Sequence, residues 1–172
     1  RIKQTDCSVP YKQNGYWYFT QVTEGKEYPI YLRKQDILNA TEEILLDLNQ
    51  LAASYVYYQV HGLAVSKDNE WLAYGEDTVS RRIFNIRLKN LVTGETLDEI
   101  IPGTTGAPVW ANDNRTIFYT VKDETLRACK VFKHKLGTSP EQDILVYFEA
   151  DETFNTFIFK TRSKEYLLIG SQ

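Results

Sequence analysis

Apolar and polar residues alternate with a period of two over most of this chain. The stretches "YWYFTQV", "WLAYGED" and "TIFYTVKD" begin at residues 16, 71 and 116, each just after a cluster of turn formers. Such alternation places one row of side chains on each face of a strand, and turn clusters at short intervals mark an all-β chain. The clusters read "KQNG", "SKDNE", "ANDNR" and, before "YLLIGSQ" at residue 166, "TRSKE". Asn14-Gly15 is the strongest hairpin signal, because both residues tolerate positive φ. Asp68-Asn69 and Asp113-Asn114 favour turns through side-chain bonds to their own backbone. Only "LDLNQLAAS" (residues 46–54) invites helix, and Asp47 is placed to cap one or two turns of it.

The four strand starts lie 55, 45 and 50 residues apart. Over the middle interval Asp68-Asn69 falls on Asp113-Asn114, and Tyr74 on Tyr119. Propeller blades of four strands recur at about this period. The text between the starts supplies further strands: "PIYLRK" and "EEILLDL", then "IFNIRLKNL" and "ETLDEII", then "KVFKHKLGT" and "DILVYFE". The opening strands read "YVYYQVHGLAVS", "GAPVWAND" and "TFNTFIFKTR". The chain therefore predicts a partial β-propeller, an arc of about three to four antiparallel four-stranded blades. A partial blade covers residues 1–50, blades cover 55–101 and 105–149, and a partial blade covers 153–172. In this reading the first repeat lacks its opening strand and the last lacks its two outer strands. Repeats of this kind bury their faces against neighbours, so a piece of a longer protein is expected. Its open faces and edges would invite self-association.

Composition agrees. Among 172 residues, 42% are hydrophobic and 13% aromatic, including 12 Tyr, a residue type that suits half-buried strands. The net charge of −3 supplies no general field for nucleic acid or an anionic membrane surface, and neither is expected as a partner. No apolar run approaches the roughly 18 residues of a membrane span. The first residues do not read as a signal peptide, and Met is absent throughout. The two cysteines, Cys7 and Cys129, lie outside any CxxC pair. They read as free thiols in a reducing compartment, so the cytoplasm is expected rather than the periplasm.

Candidate chemistry is sparse. An α/β-type serine hydrolase holds its nucleophile in a G-x-S-x-G elbow, and no serine here sits in one. The two histidines, His61 and His134, form no H-x-x-x-H pair; as lone residues in strands they read as structural. Nothing predicts a cofactor or a metal. Carboxylates in "EGKE", "EDT", "KDET" and "EADET" read as solvated loop charges. Basic residues concentrate in "SRR" and "TLRACK". Arg81, Arg82 and Arg127 there are candidates for ion pairs with acidic loops of a neighbouring blade or domain, with phosphate binding as the lesser alternative.

Several stretches resemble a known family. "EGKEYPIYLRK", "EDTVSRRIFNIRLKNLVTGETL", "VWANDNRTIFYTVKDETLR" and "VFKHKLGTSPEQDILVYFE" are similar, in order, to the propeller domain of the oligopeptidase B group within the prolyl oligopeptidase family of serine peptidases. That resemblance implies a seven-bladed propeller over an α/β-hydrolase domain that carries the Ser, Asp and His. It implies cleavage of short peptides after Lys or Arg, with the propeller restricting substrate size and contacting its own catalytic domain. The catalytic and basic-residue-binding positions would lie outside this chain, so no catalytic residue is assigned here. One departure is Lys164 in "TRSKEYL", where family members commonly place Gly. The competing readings are a non-enzymatic propeller module for protein or ligand binding, and a carbohydrate-active propeller with paired carboxylates across a cleft.

Overall fold

The structure, a computed structural model, describes residues 6–172 and divides into two compact units, one ending at Tyr58 and one beginning at Gln59. In the first unit β1 (Asp6–Cys7) and β2 (Tyr11–Gln13) both pair with β3 (Tyr16–Val22), which pairs with β4 (Ile30–Gln35), and β4 with β5 (Glu42–Asp47). The opening strand expected to be missing from this repeat is thus present, in two short pieces. Pro10 between the pieces cannot donate to the ladder, and it hid the strand by breaking the alternation. Asn14 and Gly15 turn the hairpin with φ of 47° and 80°. Register aligns Tyr11, Tyr18, Arg33 and Glu43 across the sheet. Arg33 is buried, lies over the Tyr16 ring at 4.3 Å, and its Nε donates to Glu43 Oε2 at 2.7 Å. The expected short helix follows: α1 (Leu48–Leu51), capped by the Asp47 carboxylate accepting from Asn49 N, and one 3-10 turn.

The second unit holds two four-stranded meanders and a hairpin. The first meander is β6 (Gln59–Val65), β7 (Trp71–Asp77), β8 (Phe84–Asn90) and β9 (Thr96–Thr104). The second is β10 (Val109–Trp110), β11 (Thr116–Lys122), β12 (Ala128–Lys135) and β13 (Ile144–Phe148). The hairpin pairs β14 (Thr156–Lys160) with β15 (Leu167–Ser171). The echo at 45 residues is structural: β7 and β11 are the same strand in successive sheets. Asn69 and Asn114 adopt φ of 65° and 58° in matching turns. Lys164 takes the left-handed position itself, at φ 61°, and the last hairpin closes with Lys164 N donating to Thr161 O at 2.9 Å.

One feature exceeds the sequence reading. Strand β9 runs past Pro102 to Thr104, where Gly103 bends it with φ of 72°. Thr104 then pairs with Phe84 and also with Val121 of β11, so the two meanders share one ladder. The buried Thr104 hydroxyl donates to Phe84 O and accepts from Gly106 N. Between the sheets lies the main core: Trp71, Ala73, Ile86, Leu88 and Ile101 from the first meet Trp110, Ile117 and Tyr119 from the second. Trp110 Nε1 donates across to Ala64 O at 2.9 Å. The connection 105–108 crosses close over β6 and β7. A Cβ at Gly75 would lie 2.4 Å from Gly106 Cα, and one at Gly62 would lie 2.1 Å from Gly106 O. Both glycines are therefore required by backbone-to-backbone approach.

Candidate functional site

Antiparallel meanders send successive connections to opposite ends of a sheet. In the second unit, segments 78–83, 105–108, 123–127 and 149–155 share one end, and all three arginines singled out from the sequence lie there. Two aspartates build the turns. Asp77 is buried; its Oδ1 accepts from Val79 N at 2.9 Å and its Oδ2 from Arg82 N at 2.7 Å. Asp123 accepts from Thr125 N, from the Thr125 hydroxyl and from Arg127 N. Those bonds, led by the Thr125 hydroxyl, hold its carboxyl down at about 2. Lys122 Nζ donates to Arg82 O and ties one turn to the other. Ser80, Arg82 and Leu126 hold left-handed backbone, with φ of 60°, 55° and 67°.

The arginines have different placements. Arg127 is half-buried and bridges to the next segment. Its charge is met by Asp123 of its own turn, Nε to Oδ2 at 3.0 Å, while its Nη1 donates to the carbonyls of Asp151 at 2.9 Å and Phe154 at 3.0 Å. What it reaches beyond its own turn is backbone rather than an acidic side chain. Arg81 and Arg82 have exposed side chains that pair with no carboxylate among the described residues. Among the described residues Arg82 is engaged through its backbone alone, its N donating to Asp77 Oδ2 and its O accepting from Lys122 Nζ.

Sequence reasoning missed a buried cluster elsewhere in this unit. His134 is fully buried on β12; its Nδ1 lies 2.7 Å from Asp143 Oδ1, and its Nε2 contacts Glu99 Oε1. Tyr119 Oη donates to Asp143 Oδ2 at 2.6 Å, and Gly137 N to Glu99 Oε2 at 3.0 Å. Burial first, and then the Asp143 carboxylate, push the Tyr119 phenol well above its ordinary range. The cluster joins the outer strand of the first sheet to the second sheet. The two carboxylates that meet His134 come from 9 and 35 residues away, and no local spacing announces them. Among the described residues no serine hydroxyl bonds to either histidine, and the bonds of the His134 cluster tie the two sheets together. In the first unit an open groove of about 740 Å³ is lined by Trp17, Phe19, Lys34, Asp36, Ile37 and Leu38, among others. Asp36 there accepts from Trp17 Nε1 at 2.6 Å and pairs with Lys12, which together hold its carboxyl below the usual range, Lys12 contributing most. Cys7, exposed in that groove, and Cys129, buried, are both free.

The matching family model, the prolyl oligopeptidase N-terminal β-propeller domain, covers residues 1–172. The chain belongs to this family. Its strands are thus the text of successive propeller blades. Among curated relatives of this propeller, dipeptidyl aminopeptidase BI of Pseudoxanthomonas mexicana is 42% identical and protease 2 of Moraxella lacunata 35% identical, each over 99% of the chain. The chain spans about a quarter of the length of these relatives, 26% of each. Among solved structures, oligopeptidase B from Leishmania major superposes with a TM-score of 0.94 at 32% identity, over 99% of this chain and 24% of that one. Oligopeptidase B from Trypanosoma brucei, in its closed form with covalently bound antipain, gives 0.90 at 26% identity, over the same shares. The fold is therefore part of an oligopeptidase B-type propeller, and its similar proteins are peptidases.

Proposed function

We propose that this chain is the propeller portion of a serine oligopeptidase that cleaves short peptides after Lys or Arg. The propeller restricts substrate size and contacts its own catalytic domain, Arg81 and Arg82 being the free cations on hand for that contact. Chemistry is supplied from outside this chain by a serine nucleophile and an oxyanion site, through an acyl-enzyme. It needs no cofactor, and its expected compartment is the cytoplasm. The observation that carries the reading is the TM-score of 0.94 with an oligopeptidase B over nearly the whole chain. A second reading, stepwise removal of dipeptides from a free N-terminus, is favoured by the 42% identity to a dipeptidyl aminopeptidase.

The full-length protein discriminates. A fluorogenic peptide with a blocked N-terminus and Arg before the scissile bond admits internal cleavage and excludes dipeptidyl release. Turnover of it, abolished by a fluorophosphonate, supports the first reading. Turnover confined to unblocked substrates supports the second. No fluorophosphonate label and no turnover of either would leave a non-enzymatic propeller module. Inhibitor-sensitive turnover by the 172-residue chain alone would contradict both peptidase readings.

A further inference from the structure

The two ends of the sheets in the second unit are built from different turn chemistry. At one end left-handed backbone falls on Asn69, Gly94, Asn114 and Gly137, residue types that adopt it readily, with Lys164 as the exception. At the other end Gly106 takes it in the 105–108 connection, but in the 78–83 and 123–127 turns it falls on Ser80, Arg82 and Leu126. Turn stability alone would select Gly or Asn at all three. What these positions do accomplish is display. Leu126 is 50% exposed and Val79, in the neighbouring turn, 65% exposed. Arg81 and Arg82 stand beside them in solvent. The nearby aspartates do not neutralise these arginines, because Asp77 and Asp123 are turned inward as braces for the turn amides. Lys122 fixes one turn against the other through Arg82 O. Glu124 is the only exposed carboxylate within the two turns.

A braced surface with two exposed aliphatic side chains and two unpaired guanidinium groups fits a protein face that offers apolar contact and carboxylates. We infer that the 78–83 and 123–127 turns form the platform on which an acidic face of the catalytic domain docks. The occupant is argued from length and charge. Relatives are roughly four times as long as this chain, so a large tethered domain is at hand, and the free cations call for acidic partners. This rests on the peptidase reading above.

The test uses the full-length protein. The pair R81E/R82E is compared with K67E/R162E, which reverses two exposed cations at the opposite end, and with L126G. Cutting at the inter-domain connection by a limiting amount of protease reports docking, and the thermal midpoint reports the fold. R81E/R82E should speed the cutting at least tenfold, while K67E/R162E stays within twofold. L126G should raise the midpoint, because glycine relieves the turn, yet still speed the cutting. A purely structural Leu126 would move the midpoint alone. Equal behaviour of the two charge-reversal pairs, or stabilisation by L126G without faster cutting, would overturn the inference. Docking to a second copy instead would appear as concentration-dependent protection, and it also overturns it. Fluorophosphonate labelling of the same protein separates the two ideas. Label with no effect of R81E/R82E removes the docking surface alone, and no label removes both.

Discussion

The two meanders carry the same strand at a 45-residue interval and bury it differently. β7 is covered on both faces, with Trp71 and Ala73 buried on one and Leu72 and Tyr74 on the other. β11 is covered fully on the face it turns to the first sheet, through Ile117 and Tyr119, while Thr116 and Phe118 opposite are only half-buried. The sharpest contrast is at one rung, where Gly75 in β7 corresponds to Thr120 in β11. After the first sheet the connection is four residues, 105–108, and it crosses against the backbone of Gly75. After the second it is seven residues, 149–155, and a threonine side chain fits at the equivalent rung, 2% exposed. Two strands of like pattern thus differ because of what crosses them.

The largest expected effect comes from erasing that contrast. Gly75→Thr imports the residue of the sister strand into a site where even a Cβ meets backbone. It should destabilise the fold by about 3 kcal/mol or more, read from urea unfolding. Thr120→Gly, the reverse exchange, should cost about 1–2 kcal/mol.

The paired tyrosines come next. Tyr119→Phe removes the donor to Asp143 Oδ2 inside the histidine cluster and should cost about 2 kcal/mol. Tyr74→Phe should cost about 1 kcal/mol. Burial pushes the Tyr74 phenol up to about 12, with Glu76 adding to it. A raised phenol favours its neutral form in the folded state. Stability from it is present below pH 10 and lost as pH rises from about 10 to about 12, so absorbance at the phenolate band should lag behind that of exposed tyrosines.

The two turns at the docking end sharpen the comparison by pH. The Asp123 carboxyl sits at about 2 in the folded state, below its ordinary 3.8. The stabilisation is complete above about pH 4 and lost as pH falls toward 2. Amide resonances of Thr125 and Arg127 should shift over that window in the wild type and stay constant in Asp123→Asn. The smallest effect belongs to the opposite end. Asn114→Gly keeps a residue that accepts positive φ and removes only the exposed bond that Asn114 Oδ1 accepts from Asp68 N at 3.2 Å, so it should cost about 0.5 kcal/mol.

How much the sequence disclosed follows from the range of the interactions. Alternation and turn residues are local, and they located β3 and β7 at both ends, β11 to within one residue, and the short helix after Asp47. The histidine cluster depends on Glu99 and Asp143 arriving at His134 from other elements, which no spacing rule anticipates. The strand text "ETLDEII" stops at Ile101, yet the chain continues its ladder through Pro102 and Gly103 because Thr104 finds partners on two sides. Pro10 concealed the opening strand of the first repeat for a related reason. The arginines at the docking end were visible as a charge cluster. That Arg127 is consumed by carbonyls while Arg81 and Arg82 stay free was not, since it turns on where the segment 149–155 passes.

The shared rung between Thr104 and Val121 changes what counts as a cooperative unit. Thr105 N also donates to Thr120 O beside it. Stacked repeats are usually treated as separate cards held by side chains, able to open one at a time. Here a backbone seam stitches one card to the next, only a short connection after the first is complete. A folding second meander therefore inherits its register from the first, and a crack entering from the far end stops at the stitch. A partly opened intermediate would keep its hinge at Thr104, and once that stitch gives way heat or force should release the remaining strands together.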